Sequence, residues 1–228
     1  MQWFDQGSAS GVDYPGFQSE QAQLQVYLEQ LSAVTPTQYQ QWSRDQQLAF
    51  LINAYNAFTV QLILEHYPLE SIIDISGLFS NAWNQPFIPL LGQNLTLDEI
   101  EHGMIRQPDV FDDPRIHFAV NCASIGCPAL RNEAFVASRL DVQLEDSQQR
   151  FLRDRSRNRY DPEQKRFLVS KIFKWYGEDF VKRWGSLESY LQQHAGTLAS
   201  PAELGHARQT SEVAFGAYDW SLNQHQAQ

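Results

Sequence analysis

The sequence predicts an α+β fold, a single helix-rich domain over residues 1–228 with a small, mostly antiparallel sheet. Three observations carry this. Apolar residues recur at helical spacing through much of the first half, whereas strand signals are short, scattered and concentrated later, which disfavours a regular βαβ alternation. No stretch is long enough to serve as a linker dividing the chain. The 228 residues, 43% hydrophobic and 13% aromatic, suffice for one sizeable core and exclude global disorder.

Residues 1–17, punctuated by Gly7, Gly11, Pro15 and Gly16, read as irregular. Leu24, Tyr27, Leu28 and Leu31 share one face of a helix over 21–31, which Thr35-Pro36-Thr37 breaks. The strongest helix follows. Ser43 and Gln46 form an S-x-x-Q capping box, and Leu48, Leu51, Ile52, Tyr55, Phe58 and Leu62 recur at helical spacing until Tyr67-Pro68. Phe50 and Val60 widen the apolar arc, so this helix is expected at the centre of the fold, buried on most sides. Residues 69–94 read as loops with one or two short strands near Phe87-Ile88. Thr96-Leu97-Asp98-Glu99 is a second capping box, opening a helix through Arg106 with Leu97, Ile100 and Met104 inward. Residues 116–120 read as a buried strand, residues 132–152 as helix, and 157–160 with 167–170 as a hairpin around Asp161-Pro162-Glu163-Gln164. Ile172, Phe173, Trp175, Tyr176 and Phe180 mark another helix, 187–193 a short one, and 213–215 a last strand.

Charge and motifs remove several function classes. With 17 basic against 27 acidic residues the net charge is −10, a poor match to nucleic-acid phosphates. Two cysteines cannot make a disulfide-dense scaffold. No uninterrupted apolar run approaches the roughly 20 residues that span a bilayer, so no membrane span is expected. The opening stretch lacks the basic and apolar regions of a signal peptide. As written the sequence predicts a cytoplasmic protein, or an exported one if a leader has been removed. Phosphate-loop, dinucleotide and nucleophile-elbow motifs do not occur. The C-x4-C spacing of Cys122 and Cys127 is not that of zinc sites, and no H-E-x-x-H occurs. No cofactor or metal is expected. The same spacing allows a small disulfide loop, limited by strain.

The chemistry-bearing segment is Arg115-Ile116-His117-Phe118-Ala119-Val120-Asn121-Cys122. A thiolate needs a positive or proton-accepting neighbour, and a nearby imidazole can be both. In a regular strand His117 and Cys122 point to opposite faces, so they pair only if the chain turns after Val120 or Asn121. Otherwise His102 is the partner, oriented by Asp98 or Glu101, which share its side of a helix. Asn53 and Asn56, two amides in an apolar helix, must find hydrogen-bond partners. They either tie a neighbouring loop or polarise the site. Residues 150–166 carry seven basic against three acidic residues, either a solvated face or a surface for an anionic partner.

The ordered segments LAFLINAYNA (48–57), LDEIEH (97–102), DPRIHFA (113–119), CASIGCPALR (122–131), SKIFKWY (170–176) and YDWSLN (218–223) resemble the domain of unknown function 547 (DUF547) family. The resemblance runs through nearly the whole chain from Val12-Asp13-Tyr14 onward. The family brings no established activity. It implies a papain-like or transglutaminase-like relationship with permuted topology. It also points to Cys122 rather than Cys127, whose position can be Ser, and bacterial members often carry an export signal. Two functions follow as expectations. One is a thiol-dependent hydrolase or acyl-transferase: Cys122 as nucleophile, His117 or His102 as base, Glu101 or Asp98 as orienter, and Asn53, Asn56, Arg115 and Cys127 as substrate contacts. The other is a non-catalytic binding or scaffold module of degenerate cysteine-protease-like fold. Either way the partner is a small molecule, peptide or protein, without nucleic acid.

Overall fold

In the computed structural model, which describes residues 4–6, 9–75 and 81–225, the chain opens with two short antiparallel strands, β1 (Phe4–Gln6) and β2 (Ala9–Gly11). Gly7, read as punctuation, lies outside the described residues. The irregular reading of the start fails at α1 (Tyr14–Ser19). The Asp13 carboxylate caps it by accepting from the Gly16 N–H, and Pro15 fixes the first turn. Helix α2 (Gln21–Ser32) buries Leu24, Leu28 and Leu31, as its spacing requires. Thr35 both ends that run and caps the short α3 (Pro36–Gln40).

Helix α4 (Arg44–His66) carries the Ser43–Gln46 capping box and stops at Tyr67, before a cis Tyr67–Pro68 bond. Leu51, Ile52, Ala54 and Ile63 are wholly enclosed. It is long and apolar enough to cross a membrane by length and composition, although Asn53, Asn56 and Gln61 interrupt its apolar runs. However, 83% of its most apolar window is buried within the protein, the signature of a core helix. Strands β3 (Ile88–Leu90) and β4 (Gln93–Leu95) form an antiparallel pair in the expected loop region. The Thr96–Glu99 capping box then leads into a wide, π-type turn at Glu99–Ile105.

Two segments beside the site also differ from their sequence reading. Residues 116–120 are not a strand: Pro114–Phe118 is a 3-10 turn. The Asp113 carboxylate accepts from the Arg115 N–H, and Pro114 pre-sets the first turn, so local capping outweighs the apolar run. Residues 132–136 are not helical. Their backbone hydrogen bonds go to side chains instead, Phe135 N–H to Asn53 and Val136 N–H to Gln143. The helix α5 starts only at Leu140 and runs to Arg153.

The hairpin of β5 (Arg159–Asp161) and β6 (Arg166–Val169) is as read, its turn held by Asp161 Oδ1 accepting from the Glu163 and Gln164 N–H groups. The helix expected around 172–180 is broken at Tyr176 into α6 (Ile172–Trp175) and α7 (Gly177–Trp184). Helices α8 (Leu187–Gln193), α9 (Ala195–Leu198) and α10 (Leu204–Ala207) precede β7 (Val213–Phe215), which joins β6 in parallel. Among the described residues the interior forms two apolar clusters. Helix α4 centres the first; the second gathers Phe118, Phe151, Phe167, Phe173, Phe180 and Tyr190. The last segment stitches distant pieces together. Leu222 N–H donates to Glu70, Ile125 and Gly126 N–H groups donate to Ser221 and Asp219, and Val12 N–H donates to Asn223.

Candidate functional site

Where the two clusters meet, a cleft of about 240 Å³ is lined by Cys122, Cys127, His117, His102, Glu101 and Asp98. Aromatic rings, Tyr55, Trp83, Trp175, Tyr176, Tyr218 and Trp220, make up much of the rest of its wall. The cysteine loop is built by amides. Asn56 donates to Ala119 O (2.9 Å) and accepts from Asn121 N–H (2.8 Å). Asn121 in turn donates to Pro128 O and accepts from Ala123 N–H, which holds Ala123 in the left-handed region at φ 59°. The chain therefore turns directly after Asn121, and the strand-alternation objection to His117 and Cys122 sharing a site does not apply.

Both cysteines are joined to each other in a disulfide. The expectation of a free Cys122 thiol is thus corrected: in this state Cys122 cannot attack anything. Cys127 is 4% exposed and Cys122 half-buried. Tyr218 Oη lies 3.2 Å from Cys122 Sγ and 3.3 Å from Cys127 Sγ, and accepts from Ser124 Oγ at 3.0 Å. Burial pushes the Tyr218 hydroxyl up to about 12, so it is a proton donor at neutral pH. Gly126 makes this possible, since a Cβ there would come within 2.7–2.9 Å of the Tyr218 ring.

His117 is fully enclosed, stacked on Tyr176 at 4.0 Å. Its Nε2–H donates to Asp179 Oδ2 at 2.8 Å, and its Nδ1 is buried with no hydrogen-bond partner. Burial lowers its pKa, so the imidazole is neutral near pH 7. Asp179 is desolvated too, but hydrogen bonds from His117 and Arg106 hold its carboxyl far below the ordinary range. Arg106 Nε donates to the same Asp179 oxygen at 2.8 Å, its guanidinium lies over the Tyr176 ring, and Nη1 donates to His102 Nδ1.

His102 instead faces Asp98 across 3.8 Å on the open side of the cleft, both being 43% exposed. Glu101, 5% exposed, accepts from Tyr176 Oη at 2.9 Å rather than meeting an imidazole. Burial raises the Asp98 pKa, opposed by His102 and aided by Glu101.

The amides and Arg115 stand outside this cleft. Asn53 and Asn56 bond the backbone of Phe135 and of residues 119–121, the loop-tying alternative. Arg115 is bound to Asp113 and Asp141 at another cavity. On the basic segment, Arg150 pairs with Asp146 and Arg157 with Asp154, while Arg155 and Arg159 donate to backbone carbonyls. Among the described residues no group of three or more His, Cys, Asp or Glu is placed to hold a metal ion. Sequence reasoning missed Asp179, 62 residues from His117, and read Trp175 and Tyr176 only as marking a helix. No local pattern marks Asp179; its role exists only through the packing of α7 on the 3-10 turn.

A family model described as a protein of unknown function, DUF547, matches residues 39–152. No curated protein and no solved structure matches the chain.

Proposed function

The chain belongs to the DUF547 family, and on that premise we propose that it is a thiol-dependent hydrolase or acyl-transferase whose reduced Cys122 attacks an acyl carbonyl. One observation carries the reading. An enclosed, neutral imidazole lines the same cleft as Cys122, with Nε2 tied to Asp179 and Nδ1 left without a partner. Such an imidazole takes the thiol proton on Nδ1 and returns it to the leaving group. Asp179 is then a positioning residue, holding the tautomer and supporting the imidazolium that forms. His117 rather than His102 is the base, because His102 Nδ1 is occupied by Arg106 and its Nε2 faces Asp98. Glu101 and Asp98 act at one remove, on Tyr176 and His102. The aromatic rim suits an apolar or ring-bearing acyl group.

The reading is tested by treating the reduced protein with p-nitrophenyl acetate. The expected result is a burst of nitrophenolate with the acetyl group mapped to Cys122, lost in Cys122→Ser. His117→Gln should slow acylation about a hundredfold or more, and Asp179→Asn should change the pH profile more than the plateau. Acylation no faster than that of free cysteine, or an unimpaired His117→Gln protein, would overturn it and leave the binding module, with the 150–166 surface as its docking face.

A further inference from the structure

The disulfide itself is asymmetric in a way that points to chemistry independent of acyl transfer. Both cysteines line the cleft, but Cys122 is half-buried whereas Cys127 is 4% exposed. A thiolate entering the cleft therefore reaches Cys122 first. The buried sulfur is the one with the better donor set. Cys127 Sγ receives the Cys122 backbone N–H at 2.9 Å and lies 3.3 Å from both Ser124 Oγ and Tyr218 Oη. Ser124 donates to Tyr218, so the two hydroxyls form a relay that ends on sulfur. Arg157, ion-paired with Asp154, donates to the carbonyls of Ile125 and Cys127 and so braces this loop. Hydrogen-bond donors stabilise a thiolate, and a stabilised thiolate is a good leaving group.

We infer that Cys122–Cys127 is an exchangeable redox pair, opened by attack of a small thiol on Cys122 with Cys127 leaving as a thiolate into this donor pocket. In the first step the incoming thiolate forms a sulfur–sulfur bond to Cys122, and the Cys122–Cys127 bond breaks with its electron pair going to Cys127. In the second, another equivalent of the thiol attacks the sulfur of the first. The small-molecule disulfide departs and Cys122 is released as a thiolate. Two electrons pass from two small thiols to the protein, and air oxidation or a small disulfide reverses the sequence. Cys127 is the leaving group on opening and the resolving residue on re-oxidation, when its thiolate displaces the small thiol from Cys122. Exchange stands or falls separately from acyl transfer, since it needs neither His117 nor an acyl donor.

The test uses the intact chain, oxidised, with glutathione as the probe. Differential alkylation and mass mapping should show opening without denaturant, at a rate first order in glutathione. Challenged with glutathione disulfide in place of the thiol, Cys127→Ser should accumulate a glutathione adduct on Cys122, with one glutathione thiol released for each adduct. Cys122→Ser should leave Cys127 at least about tenfold slower to react, as its burial demands. Tyr218→Phe and Ser124→Ala each remove one hydroxyl from the relay and should slow opening by about tenfold to a hundredfold, the worth of one hydrogen bond to a charged acceptor. His117→Gln should open as fast as the parent. Glutathione capture at Cys127, resistance of the folded pair to millimolar glutathione, or the absence of a disulfide in air-equilibrated protein would overturn the inference. An exchange-active protein without nitrophenolate burst would refute only the acyl-transfer reading.

Discussion

Replacing Asn56 by Ala tests the reasoning that amides, not a strand, build the site loop. The substitution removes two hydrogen bonds, 2.9 Å to Ala119 O and 2.8 Å from Asn121 N–H. Ala119 and Asn121 are each 4% exposed, so water cannot easily replace the lost partner. A buried backbone group left unpaired costs about 1–3 kcal/mol, and two such groups give a destabilisation of about 3 kcal/mol once local relaxation is allowed. Against a typical total of about 5–15 kcal/mol that is a large loss, and for a chain of this size it lowers Tm by about 6–12 °C. Asn53→Ala is the internal control. It also removes two bonds, 2.8 and 2.9 Å to Phe135, but at a half-buried position where solvent can enter. Its expected cost is about 1 kcal/mol. Urea unfolding followed by tryptophan fluorescence reads both, with unchanged m. A loss under about 1 kcal/mol for Asn56→Ala, or one no larger than that of Asn53→Ala, would refute the account of the loop.

Gly126→Ala forces a methyl group against the Tyr218 ring and should cost about 1–3 kcal/mol; the cost should largely vanish on a Tyr218→Ala background, and equal costs in both would sink the steric argument. Tyr176→Phe keeps the stack on His117 but takes a donor from the enclosed Glu101, for an expected loss of about 1.5–3 kcal/mol by chemical denaturation; a neutral change would mean that another donor, such as the Tyr55 hydroxyl, serves Glu101 instead. The lowered His117 pKa has a defined consequence for acid stability. A depressed value means that the unfolded chain takes the proton first, so stability present above about pH 6.5 is lost as pH falls below it. Asp179 and Asp113, held low by Arg and His partners despite burial, and Glu133, drawn down to about 2 by Arg131 and Arg139, extend the loss below about pH 4. Urea midpoints from pH 7 to 5 should decline in the parent and flatten in His117→Gln; parallel slopes would contradict the burial argument.

Helix α4 was legible because capping and apolar periodicity agree over twenty-three residues. The 159–169 hairpin was legible because Asp161-Pro162 can do little but turn. The 116–120 segment was misread because its apolar run is real, but Asp113 and Pro114 settle the local backbone from outside it. Residues 132–136 were misread because their hydrogen bonds are made by Asn53, 82 residues away. The cleft was half legible. Cys122, His117, His102, Glu101, Asp98 and Cys127 do line one space, since each sits in or beside a short chemistry-bearing segment. Asp179 is one of two acids in the first turn of α7, where nothing local sets it apart, and Tyr218, although it opens one of the family-like segments, carries no sign of its contact with the cysteines. That Cys122 and Cys127 are bonded rather than free depended on a turn at Ala123 that only the Asn121 side chain explains.

The closing segment has an implication for the order in which the molecule is made. Ala123, Ser124, Ile125 and Gly126 take their cross-chain backbone pairing from residues 219–223, and Tyr218 reaches the cysteines from 96 positions downstream. During translation the loop bearing both thiols therefore emerges long before its lid of main chain and its tyrosine. At about 5–20 residues per second that interval lasts several seconds, during which the nascent cysteines are open to any oxidant or partner present. A ribosome stalled between residues 130 and 215 would hold the N-terminal apolar cluster beside an unfinished cleft, and the pairing of Cys122 with Cys127 would then record whether that cleft closed in time.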